Sequence, residues 1–479
     1  MDDFYKPLTS TDTLPPGLLS KLWHSIPIPP ALLATLLLGP LLIFLTAQIL
    51  LIRAPEDPEK EDKGTEDNLW MIPFQPVPWP VQESFFGIPK NMESKYQKAS
   101  EGLNACNRLI LSEPHQSVVL ESVIENLQRN IPQMISFIST PIDHQPWEQH
   151  AQAHFISSST TEINLVSLLR DMTSHALIPA VFGYALLEKH PGVLHDMYDM
   201  NAGRPYLLRK LPAWTPWPGV VKAHMARFRV WRCLDELQRV LDSTVEGKES
   251  DASWGDLEDV SEFAWKRNAV YREHGFEVKE RADIIILHSL LTSPTLLPIW
   301  QILHILSTPD ILPLIRTEIA SYATVTKPFS IGTISEAPKL VLDLEGLVKT
   351  CPLLRSTFLE TLRLVAPGWN GVNAGTGEEK GNVEIAFPET FDAKRFVTST
   401  LRSSTATEGG GCGEVSESYS FIEQTNLALV AGILAFWDFE PADKSTGWIF
   451  PEKLRRGGIA MPICDVRVLV RRRSFEWTN

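Results

Sequence analysis

The stretch that decides the fold reads TFLETLRL and occupies residues 357–364. Phe358 and Leu362 are four residues apart, which is the spacing of an amphipathic helix that buries one face. Glu360 and Arg363 are three residues apart, so their opposite charges can meet on the same helix. Most pairs of this kind lie on solvated helices and contribute little to stability. The meaning of this pair therefore depends on the sequence around it.

Composition limits the class of protein. The chain has 479 residues, of which 44% are hydrophobic and 21% charged, as expected for a globular protein with one large core or two domains. The net charge of -14 argues against a nucleic-acid partner, because phosphate binding needs a basic face. No cysteine pair has Cys-x-x-Cys spacing, which argues against the usual zinc sites and a disulfide framework. The five cysteines are Cys106, Cys233, Cys351, Cys412 and Cys464.

An apolar segment near the start predicts a membrane anchor. Residues 31–52 contain no charge over 22 positions, which is long enough to cross a bilayer, although a buried core helix has the same appearance. We expect a tail at residues 1–30, a transmembrane helix at 31–52, a linker at 53–91 and a main domain at 92–479. Lysine and arginine flank the apolar segment on both sides, so charge does not decide its orientation.

The predicted linker changes composition along its length. Residues 53–68 carry seven acidic and three basic side chains, and a proline-rich stretch follows them. These patterns favour a solvated segment followed by a stiff, extended spacer. Aromatic side chains favour the membrane interface, so we expect that the linker aromatics rest there. They are Trp70, Trp79, Phe85 and Phe86.

Helical periodicity dominates the main domain, and strand patterns are sparse. The clearest strand is predicted at residues 464–470. One long helical stretch is expected to break near Pro294 and Pro298. The predicted helical segments are residues 165–187, 219–242, 258–272, 282–323, 346–365 and 421–437.

Two motifs carry a resemblance to a known family. CPLLRSTFLETLRL at residues 351–364 closely resembles the K helix of cytochrome P450 proteins, and FPETFDAKRF at 387–396 resembles their meander motif. The resemblance implies a mainly α, cytochrome P450-like helical fold with reduced β content, preceded by one transmembrane helix. It also implies that Arg395 joins Glu360 and Arg363 in a structural ion-pair triad.

Two further segments resemble parts of the family that contact its haem. DHQPWE at residues 143–148 is similar to the start of the C helix, which implies that Trp147 touches a haem propionate. The family often has a basic residue four positions later; here that position is Ala151, and His150 is the nearest substitute. A buried tryptophan needs no cofactor to explain it, so this role stays open beside a purely structural one.

Residues 289–320 resemble the I helix and its continuation. A helix beside a bound molecule needs a break in its hydrogen-bond ladder and hydroxyls that carry protons. Thr292, Ser293 and Thr295 are therefore the expected catalytic hydroxyls, and the alternative is a kinked core helix with incidental hydroxyls. No acidic residue lies beside them, whereas the family usually has an acid-alcohol pair at this place. His288 on the same apolar stretch is interpreted as a core histidine.

The haem-binding loop departs from the family's pattern. The resemblance implies haem b with Cys412 as the thiolate ligand of the iron, but Cys412 directly follows three glycines instead of coming a few residues later. Counting back from Asp438-Phe439-Glu440 puts the family's cysteine position near Ser416. A flexible glycine loop with an incidental cysteine stays open as the alternative. The segment between Arg363 and Phe387 is also short, through divergence or missed exons.

Three functions follow as hypotheses. The first is a membrane-bound cytochrome P450-type monooxygenase acting on a lipophilic molecule, such as a terpenoid, sterol or polyketide of secondary metabolism. It implies an NADPH-dependent cytochrome P450 reductase as partner and a single-pass anchor in the endoplasmic reticulum with a cytosolic catalytic domain. The second is a haem-free protein of the same fold that catalyses a redox-neutral cyclisation or isomerisation, or binds a lipophilic ligand. The third is a non-enzymatic, membrane-tethered interaction protein.

Overall fold

A computed structural model describes residues 74–248, 252–255, 257–326, 330–331, 334–335, 338–366, 390–398, 414–454 and 458–475, together with Gly39. For residues 252, 330–331, 334–335 and 414–418 only the backbone is described. The structure is 62% helix and 9% strand, which confirms the predicted mainly α fold with reduced β content. Apart from Gly39, the predicted transmembrane segment at 31–52 lies outside the described residues, and so does Cys412.

The helices follow each other closely along the chain. In order they are α1 Trp79–Ser84, α2 Glu93–Leu111, α3 His115–Asn130, α4 Pro146–His150, α5 Leu165–Phe182, α6 Ala185–Lys189, α7 Val193–Ala202, α8 Arg204–Leu208, α9 Pro218–Val245, α10 Glu262–Glu273, α11 Ile284–Leu290, α12 Ser293–Leu306, α13 Ile311–Ile319, α14 Leu344–Thr350, α15 Pro352–Val365 and α16 Glu414–Phe436. The predicted helical segments coincide with these elements, but three of them are divided: 165–187 into α5 and α6, 282–323 into α11, α12 and α13, and 346–365 into α14 and α15. The ends of the other three differ by a few residues.

The strands are short. They are β1 His154–Ser157, β2 Thr160–Asn164, β3 Ala323–Thr326, β4 Ser330–Ile331, β5 Ile334–Ser335, β6 Lys339–Leu342, β7 Trp437–Pro441, β8 Lys453–Leu454, β9 Met461–Pro462 and β10 Arg467–Arg472. Strands β1, β2, β10 and β7 form a four-stranded sheet in that order, and the other strands pair two by two. All neighbours in the large sheet are antiparallel. The strand predicted at residues 464–470 is β10, displaced by two to three residues.

Helix α12 lies at the centre of the core. All of its residues are buried, and it packs against α5, α15 and α16. The indole N–H groups of two buried tryptophans donate to backbone carbonyls. Trp300 Nε1 donates to Ala460 at 2.7 Å, and Trp437 Nε1 donates to Ile131 at 2.8 Å. A buried indole N–H needs such a partner, so each bond fixes one element against a distant part of the chain.

The long helical stretch breaks earlier than predicted. Helix α11 ends at Leu290 and α12 begins at Ser293, so the interruption falls at Leu291 and Thr292. Pro294 lies in the first turn of α12, where the missing N–H of proline leaves no bond unmade. The expected break at Pro298 is wrong, because α12 continues through that residue.

Two stretches of the described residues are long and apolar enough to cross a membrane by length and composition. They are Ile284–Leu306 and Tyr419–Phe436, which are 94% and 78% buried within the fold. Burial of this extent is typical of core helices, because a membrane span presents apolar side chains to lipid. Their apolar character therefore follows from their central position in the core.

The part of the predicted linker that the structure describes packs into the domain. Phe85 and Phe86 are fully buried, so the expectation that they rest on a bilayer is wrong. Their backbone carbonyls accept hydrogen bonds from helix α9, Phe85 from Arg227 at 3.2 Å and Phe86 from Trp231 Nε1 at 2.8 Å. The folded region therefore includes residues 74–91, ahead of the predicted boundary at residue 92.

We expect that Phe86→Ala lowers the free energy of unfolding by about 3–5 kcal/mol, because it opens a cavity under the segment that precedes α2. The matched control is Phe228→Ala on α9, which removes the same ring from a position that is 68% exposed. Its cost should stay within about 0.5 kcal/mol. Urea unfolding of both variants measures the difference, and equal costs would contradict the packing of this segment.

Candidate functional site

The site that the sequence predicts begins at the junction of α11 and α12. Thr292 has φ -105° and ψ -92°, which is not helical, so the hydrogen-bond ladder stops there. Thr292 Oγ1 donates to the Ser289 carbonyl at 3.1 Å, and Thr295 Oγ1 donates to the Leu291 carbonyl at 2.8 Å. The hydroxyls thus satisfy carbonyls at the end of α11 in a region that water does not reach. Ser293, the third predicted hydroxyl residue, is buried beside them.

His288 on α11 is buried close to this junction. Its ring meets Phe85 and Phe86 edge to face, with centroid distances of 5.1 and 5.3 Å. Burial, helped by the positive charge of Arg204, lowers the pKa of His288 to about 3. The imidazole is therefore neutral at physiological pH, and this agrees with its interpretation as a core histidine.

Trp147 lies on α4 and is 5% exposed. Its indole N–H donates to the Met134 carbonyl at 3.0 Å, and its ring meets the ring of His175 with centroids 5.3 Å apart. Pro146 and Glu148 define the start of this short helix, where Glu148 takes part in a capping box. The Met134 carbonyl therefore accepts the only polar hydrogen of the Trp147 side chain.

His150, at the end of α4, pairs with a buried acid. Its Nδ1 lies 2.6 Å from Oδ2 of Asp171, which is fully buried on α5. The hydrogen bond to Asp171 raises the pKa of His150 above its ordinary value, against the opposing effect of burial. The ring of His195 lies beside it, with centroids 4.7 Å apart. Sequence reasoning missed Asp171, although an acid within the apolar run of α5 is itself a signal.

The three residues of the predicted triad meet around one carboxylate. Glu360 is fully buried; Arg363 binds it through Nε and through a second nitrogen, both at 2.8 Å, and Arg395 Nε binds it at 3.0 Å. The backbone N–H of Asp392 adds a fourth hydrogen bond at 3.0 Å. Two guanidiniums and an amide together offset the cost of desolvating the carboxylate. Helix α15 is thereby joined to residues 390–398.

A second polar link joins the three central helices and was missed from the sequence. Gln301 on α12 donates through Nε2 to Thr357 Oγ1 of α15 at 2.8 Å, and its Oε1 accepts from Asn426 on α16. All three side chains are buried at 1% exposure or less. Single amides inside otherwise apolar helices are the sequence signal, because a buried amide needs a partner.

The end of α12 also contacts the segment that carries Arg395. His304 stacks on Phe391 with ring centroids 4.5 Å apart and an angle of 2° between the planes. Burial, with the nearby positive charge of Lys453, lowers the pKa of His304 to about 3. The neutral ring therefore acts here as an apolar stacking surface between the central helix and residues 390–398.

The residues expected to hold haem b fall only partly within the described part of the chain, where Trp147 and His150 share helix α4. Cys412 lies outside it, as do the side chain of Ser416 and the glycines of the loop. The indole nitrogen of Trp147 donates to the Met134 carbonyl, and Nδ1 of His150 pairs with the Asp171 carboxylate. The negative charge of Asp171 opposes a propionate near His150. Within the described ranges, no three His, Cys, Asp or Glu side chains form a metal-binding group.

Comparison with known proteins gives a distant relationship. No family model matches the chain. Its sequence is 27% identical over 302 residues to cytochrome P450 monooxygenase poxD of Penicillium oxalicum, and the match covers 56% of each protein. The chain thus spans about half the length of this curated relative. This distant sequence similarity supports the family resemblance that the K-helix and meander motifs indicate.

We expect that Glu360→Gln lowers the free energy of unfolding by about 3–5 kcal/mol, because it leaves the guanidiniums of Arg363 and Arg395 without their buried counter-charge. The matched control is Glu345→Gln, which breaks an exposed pair with Lys349 on α14. The control should cost no more than about 0.5 kcal/mol. Denaturant unfolding measures both variants, and a cost for Glu360→Gln as small as that of the control would contradict the role of the triad.

The His150–Asp171 pair predicts a pH dependence. Because the folded pKa of His150 lies above its ordinary value of 6.5, the pair stabilises the fold fully below that value. This stabilisation is lost as the pH rises through the folded pKa. We expect that the loss of thermal stability between about pH 6 and pH 8 is smaller in His150→Gln than in wild type.

The control for this experiment is His154→Gln, which removes an exposed imidazole on β1. It should leave the pH dependence of the unfolding midpoint as in wild type. Asp171→Asn should reduce the pH dependence as His150→Gln does, since the hydrogen bond to Asp171 is the main cause of the raised pKa. If the pH dependence of the unfolding midpoint in His150→Gln and in Asp171→Asn were the same as in wild type, the predicted stabilisation by the His150–Asp171 pair would be contradicted.

Proposed function

We propose that the chain is a membrane-bound monooxygenase of cytochrome P450 type that oxidises a lipophilic small molecule, such as a terpenoid, sterol or polyketide of secondary metabolism. One observation carries the proposal: Glu360 accepts from both Arg363 and Arg395, which are the residues that the two family motifs assign to the triad. The distant similarity to a fungal cytochrome P450 monooxygenase supports the same class of activity.

The proposal assigns a role to each predicted residue. Haem b bound to a cysteine thiolate activates oxygen in this class of enzyme, and Cys412 is the proposed ligand. For Trp147 and His150 to contact the haem propionates, their hydrogen bonds to the Met134 carbonyl and to Asp171 would first have to break. Thr292, Ser293 and Thr295, three buried hydroxyl residues at a break between two helices, are the proposed proton carriers.

Partners and location follow from the same proposal. Electrons would come from an NADPH-dependent cytochrome P450 reductase, and the segment at residues 31–52 would anchor the protein in the endoplasmic reticulum with the main domain in the cytosol. A lipophilic substrate partitions into the bilayer, so an anchored enzyme meets it at a raised local concentration.

A second candidate function keeps the fold without haem. It is favoured by the engagement of Trp147 Nε1 and His150 Nδ1 with protein groups. The altered spacing around Cys412 points in the same direction. In this case the apolar interior would serve a redox-neutral cyclisation or isomerisation, or would bind a lipophilic ligand.

Haem content and the absorbance spectrum distinguish the two functions. We expect that the detergent-purified protein, reduced and exposed to carbon monoxide, shows the Soret band of a thiolate-bound haem at close to one haem per chain. Cys412→Ser should abolish this band, because serine does not supply a thiolate. The matched control is Cys464→Ser, which alters an exposed cysteine and should leave the band unchanged.

The outcomes separate the proposals. A folded protein without haem, confirmed by its unfolding midpoint, would contradict the monooxygenase and support the haem-free alternative. Haem that stays bound with an unchanged spectrum in Cys412→Ser would exclude Cys412 as the ligand. In that result the thiolate would have to come from one of the other four cysteines, and their serine variants are the next to measure.

A further inference from the structure

One face of helix α9 presents a row of apolar side chains to solvent. The row has four members at spacings of three and four residues, which places them on the same side of the helix. They are Trp217 at the N-cap, Val221, Met225 and Phe228, here called the α9 stripe. Their exposed fractions run from 37% to 68%, and Trp214, in the loop just before them, is 66% exposed. Isolated exposed apolar residues are common, whereas a contiguous row indicates a surface that contacts a partner or a membrane.

The sequence around the α9 stripe has the opposite charge to the chain as a whole. The net charge of the chain is -14, yet residues 201–234 contain no acidic residue and seven basic ones. They are Arg204, Arg209, Lys210, Lys222, Arg227, Arg229 and Arg232. Tryptophan and phenylalanine on one side of a helix with lysine and arginine around them are typical of helices that lie in the plane of a membrane interface.

Acids of neighbouring segments pair with four of these cations, and in each pair the cation is the more exposed partner. The pairs are Lys210–Glu83, Lys222–Asp199, Arg229–Asp196 and Arg232–Glu236. The side chain of Lys222, for example, is 64% exposed and that of Asp199 only 19%. The positive ends therefore point outward beside the α9 stripe. Exposed pairs of this kind are weak, so a lipid phosphate can share or replace the acid as the partner of the cation.

The chain enters the described domain beside α9. Arg227 on α9 donates to the Ser84 carbonyl at the end of α1 at 2.9 Å, and Lys210, just ahead of α9, lies 2.9 Å from Glu83. Helix α1 is the first helix after the predicted anchor at residues 31–52 and its linker. An anchor in that position would therefore join the domain next to the helix that carries the α9 stripe.

We propose that the α9 stripe and Trp214 dock the domain on the surface of a bilayer that contains anionic lipid. The inference rests on the membrane attachment proposed above, but on neither haem binding nor monooxygenase activity. The apolar side chains enter the boundary between headgroups and acyl chains, the tryptophans lie at the headgroup level, and the cations reach the lipid phosphates. A second copy of the chain is a poorer partner for this face, because it would bring the exposed cations of two molecules together.

Fluorescence quenching by labelled lipid tests the docking on the full-length protein in vesicles of phosphatidylcholine and phosphatidylserine. A nitrobenzoxadiazole label is attached at Phe228→Cys in a Cys464→Ser background, and the labelled background alone is subtracted. The label should lose about half or more of its emission when the lipid carries a nitroxide near the top of its acyl chain, because an interfacial helix lies ~5–10 Å deep at this boundary. The matched control is Val118→Cys on α3, which is 63% exposed but lies on one helix side with the exposed acids Glu121 and Glu125. Its label should lose little emission.

A charge within the α9 stripe tests the same contact from the protein side. Met225→Asp, at a position that is 54% exposed, should reduce the quenching of the label at residue 228, because a carboxylate is costly at the acyl boundary and is repelled by anionic lipid. Val118→Asp is the matched control and should leave this quenching as it was.

Flotation of the same vesicles separates docking from attachment. Protein that floats with the vesicles while the labels at residues 228 and 118 are quenched equally would overturn the docking and leave the anchor standing. Protein that does not float would overturn both. A rise in emission at residue 228 that depends on protein concentration and not on nitroxide lipid would assign the α9 stripe to a second copy of the chain. Equal quenching in phosphatidylcholine alone would contradict the contribution of the cations.

Discussion

The fully buried carboxylate of Glu360 constrains the packing of the core around it. A charge in this position is costly unless several donors surround it, and the chain supplies them from two separate segments. Arg363 comes from the same helix, whereas Arg395 and the Asp392 N–H come from residues 390–398. That segment must therefore return to α15, where Phe396 N–H also donates to Ser356 Oγ at 3.0 Å.

The constraint extends from this carboxylate to the centre of the molecule. Helix α15 is held to α12 by Gln301, which donates to Thr357 and to the Leu354 carbonyl, and α12 is held to α16 through Asn426. Apolar packing alone permits neighbouring helices to shift along each other, whereas paired amides fix their register. The register of α12, at whose start the predicted hydroxyls lie, is thus fixed by the contacts of Gln301 with α15 and α16.

Local patterns predicted the helices well, because a helix is made by residues close in sequence. The run of residues 219–242 lies inside α9, and the Glu360–Arg363 pair follows from helical spacing alone. Strand β2 escaped prediction because one of its partners is β10, about 300 residues later in the chain, and β1 pairs only with β2. Phe85 and Phe86 were misplaced for the same reason: their environment is made by α9 and α11, which the local sequence does not reveal.

Helix α11 connects the segment that precedes α2 with the hydroxyls at the start of α12. It ends at Leu290, directly before the break that holds Thr292. His288 on this helix packs on Phe85 and Phe86, whose backbone carbonyls accept hydrogen bonds from α9. The part of α11 that leads into the buried hydroxyls is therefore packed against the start of the described domain, a tertiary contact that the local sequence does not reveal.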